Sequence, residues 1–257
     1  MKIDHDFKKK FGQNFLRDSK WADKMITTLG INPGDKVIEI GPGNGVVTEK
    51  LINSGSDLYS VEIDYDLVPL LLSRFSKYDN FHLINSDVLN IDVDSQGNKN
   101  YKIIGSLPYN ISKRIISKFL SAKIKPEKMV FIIQKEVALD YTAKKPKSTF
   151  LSNYIQLYSS AKYICRIPNH EFYPTPEVDG AVIKFFDIKE KHSNPEKISQ
   201  FIKHGFSQPR KKLTSSLKSL FGSKEKAESI LLQIGLNINM RPSELDFEDW
   251  IMLYNLL

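Results

Sequence analysis

Apolar residues along this chain fall into two periodicities. From Lys36 to about Glu136, short apolar runs alternate with stretches of helical spacing. Lys36-Val37-Ile38-Glu39-Ile40, Leu58-Tyr59-Ser60-Val61-Glu62, Phe81-His82-Leu83-Ile84, Tyr101-Lys102-Ile103-Ile104 and Met129-Val130-Phe131-Ile132-Ile133 read as five strands. Val46 to Asn53 and Leu67 to Phe75 read as helices between them. Strands alternating with helices predict an α/β fold, a mainly parallel sheet with helices on both faces. From Ala161 to Phe186 two β-rich runs flank a proline-containing loop, and Val182-Ile183-Lys184-Phe185-Phe186 closes the sheet. The polar run Lys189 to Glu196 reads as a linker. Beyond it, Ile198, Phe201, Ile202 and Phe206, then Leu213, Leu217, Leu220 and Phe221, then Phe247, Trp250, Ile251 and Tyr254 recur at helical spacing. The pattern therefore divides the chain into a large α/β domain, 1–188, and a small all-helical domain, 189–257.

Composition narrows the function classes. A net charge of +7 and a pI of about 9.2 suggest a polyanionic partner, although a basic soluble protein carries such a balance equally well. A single cysteine, Cys165, excludes an intramolecular disulfide, and its place in an apolar run reads as a small buried hydrophobe. No apolar run approaches the roughly 18 residues of a membrane span, and the N-terminus has no apolar signal region, so a cytoplasmic location is expected. The five histidines form no HExxH pair and no Cys/His cluster, and no metal is expected.

Four motifs fall at the carboxyl ends of predicted parallel strands, where such sheets bind ligands. The first is Glu39-Ile40-Gly41-Pro42-Gly43-Asn44-Gly45. A dinucleotide fingerprint would place its third glycine one residue later, where Val46 stands. An acidic residue followed by G-x-G-x-G instead resembles the nucleoside-methionine site of class I methyltransferases. The second is Glu62, about 20 positions on, placed to accept two ribose hydroxyls; Asp64 competes for that role. The third is Asp87, which suits the exocyclic amine of an adenine or, as plainly, a helix N-cap. The fourth is Gly105-Ser106-Leu107-Pro108-Tyr109-Asn110. It resembles the Asn/Asp/Ser-x-Pro-Tyr/Phe loop of enzymes that methylate amino nitrogens of planar bases. A delocalised base amine is a poor nucleophile, and two oxygen acceptors for its N–H groups draw it toward tetrahedral geometry. The Ser106 side chain and a backbone carbonyl supply such acceptors, and Tyr109 can stack on the base.

Together with Phe11-Gly12-Gln13-Asn14-Phe15-Leu16, Gln134-Lys135-Glu136-Val137, Phe172-Tyr173-Pro174-Thr175-Pro176-Glu177-Val178-Asp179-Gly180-Ala181-Val182 and Phe206-Ser207-Gln208-Pro209-Arg210-Lys211-Lys212-Leu213, these motifs make the chain resemble the small-subunit ribosomal RNA adenine dimethyltransferases almost end to end. The resemblance implies a class I methyltransferase fold, Rossmann-like, with S-adenosyl-L-methionine as cofactor. It implies that Asn14 and Leu16 close over the cofactor, that Gly41, Gly43, Glu62, Asp87 and Ser106 hold it, and that Ser106, Leu107, Tyr109 and Phe172 act on the target base. It further implies two methyl groups on each of two adjacent adenosines in a hairpin loop near the 3′ end of 16S rRNA, made by a monomer on the assembling 30S subunit. The basic cluster Arg210, Lys211 and Lys212, read as opening a C-terminal helix, and the run Lys8-Lys9-Lys10 suit RNA phosphates. Two stretches depart from the family. Ser106 stands where Asn is usual, which predicts a slower enzyme, and Phe150-Leu151-Ser152-Asn153-Tyr154 replaces Tyr-Gly-x-Leu-Ser. Rival readings are the antibiotic-resistance methyltransferases of large-subunit rRNA, a DNA adenine methyltransferase, and a non-catalytic assembly factor that keeps the pocket as a relic.

Overall fold

The computed structural model describes residues 14–92 and 100–257. The Phe11-Gly12-Gln13 part of the N-terminal motif and the Lys8-Lys9-Lys10 run lie outside the described residues. Along the chain the elements are β1 (Phe15–Leu16), α1 (Ser19–Leu29), β2 (Lys36–Ile40), α2 (Val46–Asn53), β3 (Asp57–Glu62), α3 (Val68–Phe75), β4 (Phe81–Asn85), β5 (Tyr101–Ser106), α4 (Ser112–Ser121), β6 (Lys128–Gln134), α5 (Lys135–Thr142), α6 (Phe150–Gln156), β7 (Ser160–Ile167), β8 (Phe172–Tyr173), β9 (Gly180–Phe186), α7 (Pro195–Gly205), α8 (Thr214–Phe221), α9 (Lys224–Gln233) and α10 (Phe247–Tyr254).

Seven strands form one sheet in the order β4-β3-β2-β5-β6-β9-β7. The first five are parallel, and β9 runs antiparallel to β6. Burial explains why the inner strands read as largely apolar runs rather than alternations. Val37, Leu58, Ile103, Ile104 and the stretch Met129 to Ile133 have no exposed surface, as befits a parallel sheet covered by helices. Strand order reverses between β2 and β5, and that is where the crevice at the strand ends opens. Close approach at this point requires Gly105. A Cβ there would lie 2.5 Å from the Ile40 carbonyl oxygen, and Ile40 is its registered partner.

The chain falls into two compact units, 1–138 with 161–188, and 139–160 with 189–257. The sequence pattern assigns all of 1–188 to one domain; the contacts instead group Leu139–Ser160 with the C-terminal helices. The reason is pairing over long sequence separation. Ser148 Oγ donates to the Leu245 carbonyl at 2.7 Å, and Lys145 pairs with Asp246 and Asp249. Within this second unit, Thr149 and Ser152 form a capping box that starts α6. Its core is aromatic. Phe201 meets Phe221, Trp250 and Tyr254 edge-on, and Gly205 lies so near the Trp250 ring that a Cβ would come within 2.3 Å of it. Arg210, Lys211 and Lys212 are exposed in the turn ahead of α8, not in its first turn as their sequence position suggests. Among the described residues no helix is long and apolar enough to cross a membrane.

Candidate active site

The carboxyl ends of β2, β3 and β5 wall an open cleft of about 850 Å³, its solvent-filled mouth included. It is lined by Asn14, Leu16, Gly41, Gly43, Glu62, Ser106, Leu107, Tyr109 and Phe172, nine of the ten residues singled out for cofactor and base. Asp87 is not among the lining residues. Its Oδ1 accepts from the Leu89 N–H at 2.9 Å and caps the turn Val88–Asn90, the simpler of its two sequence readings. Arg210, Lys211 and Lys212 belong to the other unit.

The glycine loop turns between β2 and α2. Gly43 has φ +57, and a Cβ on it would come within 2.6 Å of the Phe15 ring. Strand β1 packs on the loop because glycine leaves that space. Phe15 and Leu16 pair in turn with Tyr173 and Phe172 of β8, so a two-stranded ribbon carries Leu16 and Phe172 side by side into the cleft wall. Arg17 Nε donates to the Phe172 carbonyl at 3.1 Å, and Lys20 bridges to Glu171 at 2.7 Å, which holds the ribbon's far end. A further tie is Arg74 of α3, which donates to the Asn44 carbonyl within the glycine loop.

Two carboxylates set the electrostatics. Glu62 is buried at the end of β3. Its Oε1 accepts from the Asp64 N–H at 2.8 Å and its Oε2 from the Gly43 N–H at 3.3 Å. Desolvation pushes its pKa up, opposed by these backbone bonds. Asp64 is not on the cleft wall and caps the turn Tyr65–Leu67 through the Asp66 N–H. Glu39 is a residue whose position the sequence motif shows but whose environment it does not. Its Oε2 accepts from Ser60 Oγ at 2.6 Å and Thr48 Oγ1 at 2.8 Å. Its Oε1 is buried with no hydrogen-bond partner among the described residues, and Glu39 is one of the residues lining the cleft. Burial pushes its pKa to about 7, with the nearby Glu62 charge adding to the rise. A carboxylate within the apolar run Lys36 to Ile40 was the available signal, since such a group is rarely buried without purpose.

This donor set fits S-adenosylmethionine. Among the groups lining it, the orphaned Glu39 oxygen and the remaining lone pairs of Glu62 are buried acceptors. Acceptors suit a ligand rich in donors, here ribose hydroxyls and a cationic methionyl group. No phosphate cradle is needed. On the opposite side of the cleft stands the loop after β5. The Leu107 N–H donates to the Ile132 carbonyl at 2.9 Å and fixes the loop to β6. The Ser106 hydroxyl and the Leu107 carbonyl have no hydrogen-bond partner among the described residues. The Tyr109 hydroxyl is likewise buried and unpartnered, and desolvation pushes its pKa to about 12. Phe172 is 1 % exposed and forms a wall rather than a projecting face. Among the described residues no group of three His, Cys, Asp or Glu side chains gathers to hold a metal.

Comparison with known proteins agrees with this geometry. Ribosomal RNA small subunit methyltransferase A of Mesoplasma florum is 35% identical over 96% of this chain and 97% of its own length. The protein of the same name from Rippkaea orientalis is 34% identical over 97% of both chains. Two crystal structures share the fold, the dimethyladenosine transferase of Plasmodium falciparum and the 23S rRNA methyltransferase ErmE. Their TM-scores are 0.79 and 0.77 at 22% and 23% identity, over 93% and 94% of this chain and 95% and 98% of theirs. The family model described as ribosomal RNA adenine dimethylase matches residues 4–257. The chain belongs to that family, and is an S-adenosylmethionine-dependent rRNA adenine dimethyltransferase.

Proposed function

We propose that this enzyme dimethylates N6 of two adjacent adenosines in a hairpin loop near the 3′ end of 16S rRNA, acting in the cytoplasm as a monomer on the assembling 30S subunit. The small-subunit assignment rests on the relatives named ribosomal RNA small subunit methyltransferase A, matched at 32–35% identity. The base-amine chemistry rests on one observation. Two free oxygen acceptors, the Ser106 hydroxyl and the Leu107 carbonyl, share a cleft with the buried carboxylates Glu39 and Glu62.

In this reading Glu62 accepts the ribose hydroxyls, and the unpaired oxygen of Glu39 faces the cationic end of the cofactor. Gly41 and Gly43 let the backbone approach it, while Asn14 and Leu16 cover it from the ribbon. Asp87 keeps a second carboxylate oxygen for the cofactor's adenine amine beyond its capping bond. S-adenosylmethionine supplies the methyl group from its sulfonium. Ser106 and Leu107 accept the N6–H bonds, which localises the nitrogen lone pair for attack. Tyr109 stacks on the base, and Phe172 backs the opposite wall. After the first transfer only one N–H remains, so a single acceptor suffices for the second. The 189–257 segment, with Arg210, Lys211 and Lys212, contacts rRNA phosphates.

Serine is shorter than asparagine, so its oxygen must come closer or act through a water. A misplaced acceptor of this kind is worth up to about 2.7–4 kcal/mol of transition-state stabilisation. Single-turnover methylation by Ser106→Asn is expected to equal or exceed the parent's, Ser106→Ala to be slower, and Tyr109→Ala slower still. A Ser106→Ala rate equal to the parent's assigns the acceptor role to the Leu107 carbonyl alone.

A further inference from the structure

Helix α4 begins directly after the catalytic loop, and its first turn holds two adjacent cations, Lys113 and Arg114. They lie four and five residues beyond Tyr109 in the sequence. Ile115, Ile116, Phe119 and Leu120 are wholly buried, which fixes the rotation of the helix and leaves Lys113 and Arg114 exposed. Neither has a hydrogen bond, ion pair or ring contact among the described residues. The first turn contains no acidic residue to offset them. Cations at this end also oppose the helix dipole, whose positive pole lies at the N-terminus. Two uncompensated charges are thus held where the fold itself disfavours them.

Several other described cations of this unit near the site have partners within the chain. The Arg17 guanidinium lies 5.0 Å from the centre of the Tyr173 ring and donates to the Phe172 carbonyl. Lys20 bridges Asp18 and Glu171. Arg166 and Lys135 share Asp179, at 2.7 and 3.9 Å. The contrast sets the pair on α4 apart from these described cations.

We propose that Lys113 and Arg114 hold phosphates of the RNA strand flanking the adenosine that enters the cleft. The inference rests on the functional reading above. A base taken out of its stack and into a pocket brings its own backbone to the rim of that pocket. The pair lies four and five residues beyond Tyr109, in the first turn of the helix that follows the loop. Arginine engages a phosphate through its planar fork and lysine as a mobile point charge, so the two tolerate the irregular backbone of a hairpin loop. Contacts of this kind set register and affinity and carry no base preference.

The test uses the full chain with Lys113→Gln/Arg114→Gln, and with the charge-conserving swap Lys113→Arg/Arg114→Lys. Binding to unmethylated small subunits is measured across a salt series, alongside steady-state methylation and calorimetric affinity for S-adenosylmethionine. For the Gln pair we expect at least a tenfold weaker affinity at low salt, a raised KM with kcat retained, and unchanged cofactor affinity. The slope of log K against log salt should fall in magnitude by about 1.4, two contacts to a single strand. The swap should keep the parent slope. Melting temperature should be equal to or above the parent's, since removing cations from the first turn relieves the helix dipole. A Gln pair with the parent's slope and KM overturns the proposal and leaves the pair to solvent or to an acidic protein partner. A parent chain that methylates no small subunit overturns the functional reading, and this inference with it.

Discussion

At the scale of the residue, the chemistry turns on how carboxylates and hydroxyls are buried. Glu39 is the sharpest case, because one oxygen is satisfied by Ser60 and Thr48 while the other is buried with no hydrogen-bond partner among the described residues. Its pKa rises from 4.5 to about 7, so the folded chain disfavours the ionised form. A carboxyl raised on folding stabilises the fold fully below its unfolded value and loses that contribution as pH climbs through the folded one. The window runs from about pH 4.5 to 7, and the shift corresponds to about 3 kcal/mol. Glu39→Gln should therefore stabilise the ligand-free protein at pH 8 by up to that amount, read from denaturant unfolding, and leave it nearly unchanged at pH 4. A cationic ligand favours the ionised form, so cofactor affinity should fall as pH drops below 7, with proton release on binding seen as a buffer-dependent calorimetric enthalpy. Equal enthalpies in buffers of different ionisation heat would remove Glu39 from the site. The motif shows where this carboxylate stands; its lone oxygen depends on Thr48 and Ser60, nine and twenty-one residues away, and no local spacing announces them. Glu62, by contrast, is legible because strand length and the βαβ repeat fix its distance from the glycines.

At the scale of the element, the parallel strands were readable because burial makes the inner ones largely apolar runs, and β2 through β6 appear within two residues of the expected bounds. The ribbon of β1 and β8 was not. Each strand is two residues long, too short for any periodicity, and Leu16 meets Phe172 across 156 residues of sequence. The grouping of Leu139–Ser160 escaped for the same reason, since its partners lie about a hundred residues on, as Ser148 and Leu245 do. Gly105 links the sheet to the site. A Cβ there would meet a backbone carbonyl that cannot rotate away, forcing β2 from β5 just below Ser106. Gly105→Ala should cost about 3 kcal/mol or more, on the scale of severe core overpacking, and should lower methylation even where the protein remains folded. A melting curve matching the parent's would show that the two strands part without penalty.

At the scale of the whole molecule, the excess of positive charge becomes specific only once it is placed. Of the cations weighed for RNA, Arg210, Lys211 and Lys212 are exposed in the second unit, with Lys212 Nζ held by Asn239 at 2.6 Å. Replacing all three with Ala should weaken binding to small subunits and flatten its salt dependence, while cofactor affinity stays at the parent value. An unchanged salt slope would make the cluster a solvated face. The lining of the cleft, Ser106 to Tyr109 included, lies in the first unit, so the effect of such variants on RNA binding can be read apart from cofactor affinity.

The most direct test of the account is the product itself. Small and large ribosomal subunits lacking the modification are incubated with the enzyme and S-adenosylmethionine, and the RNA is digested and mapped by mass spectrometry. The account predicts N6,N6-dimethyladenosine at two adjacent positions of one small-subunit hairpin and none in the large subunit. Methylation confined to the large subunit, or on an atom other than N6, would contradict it.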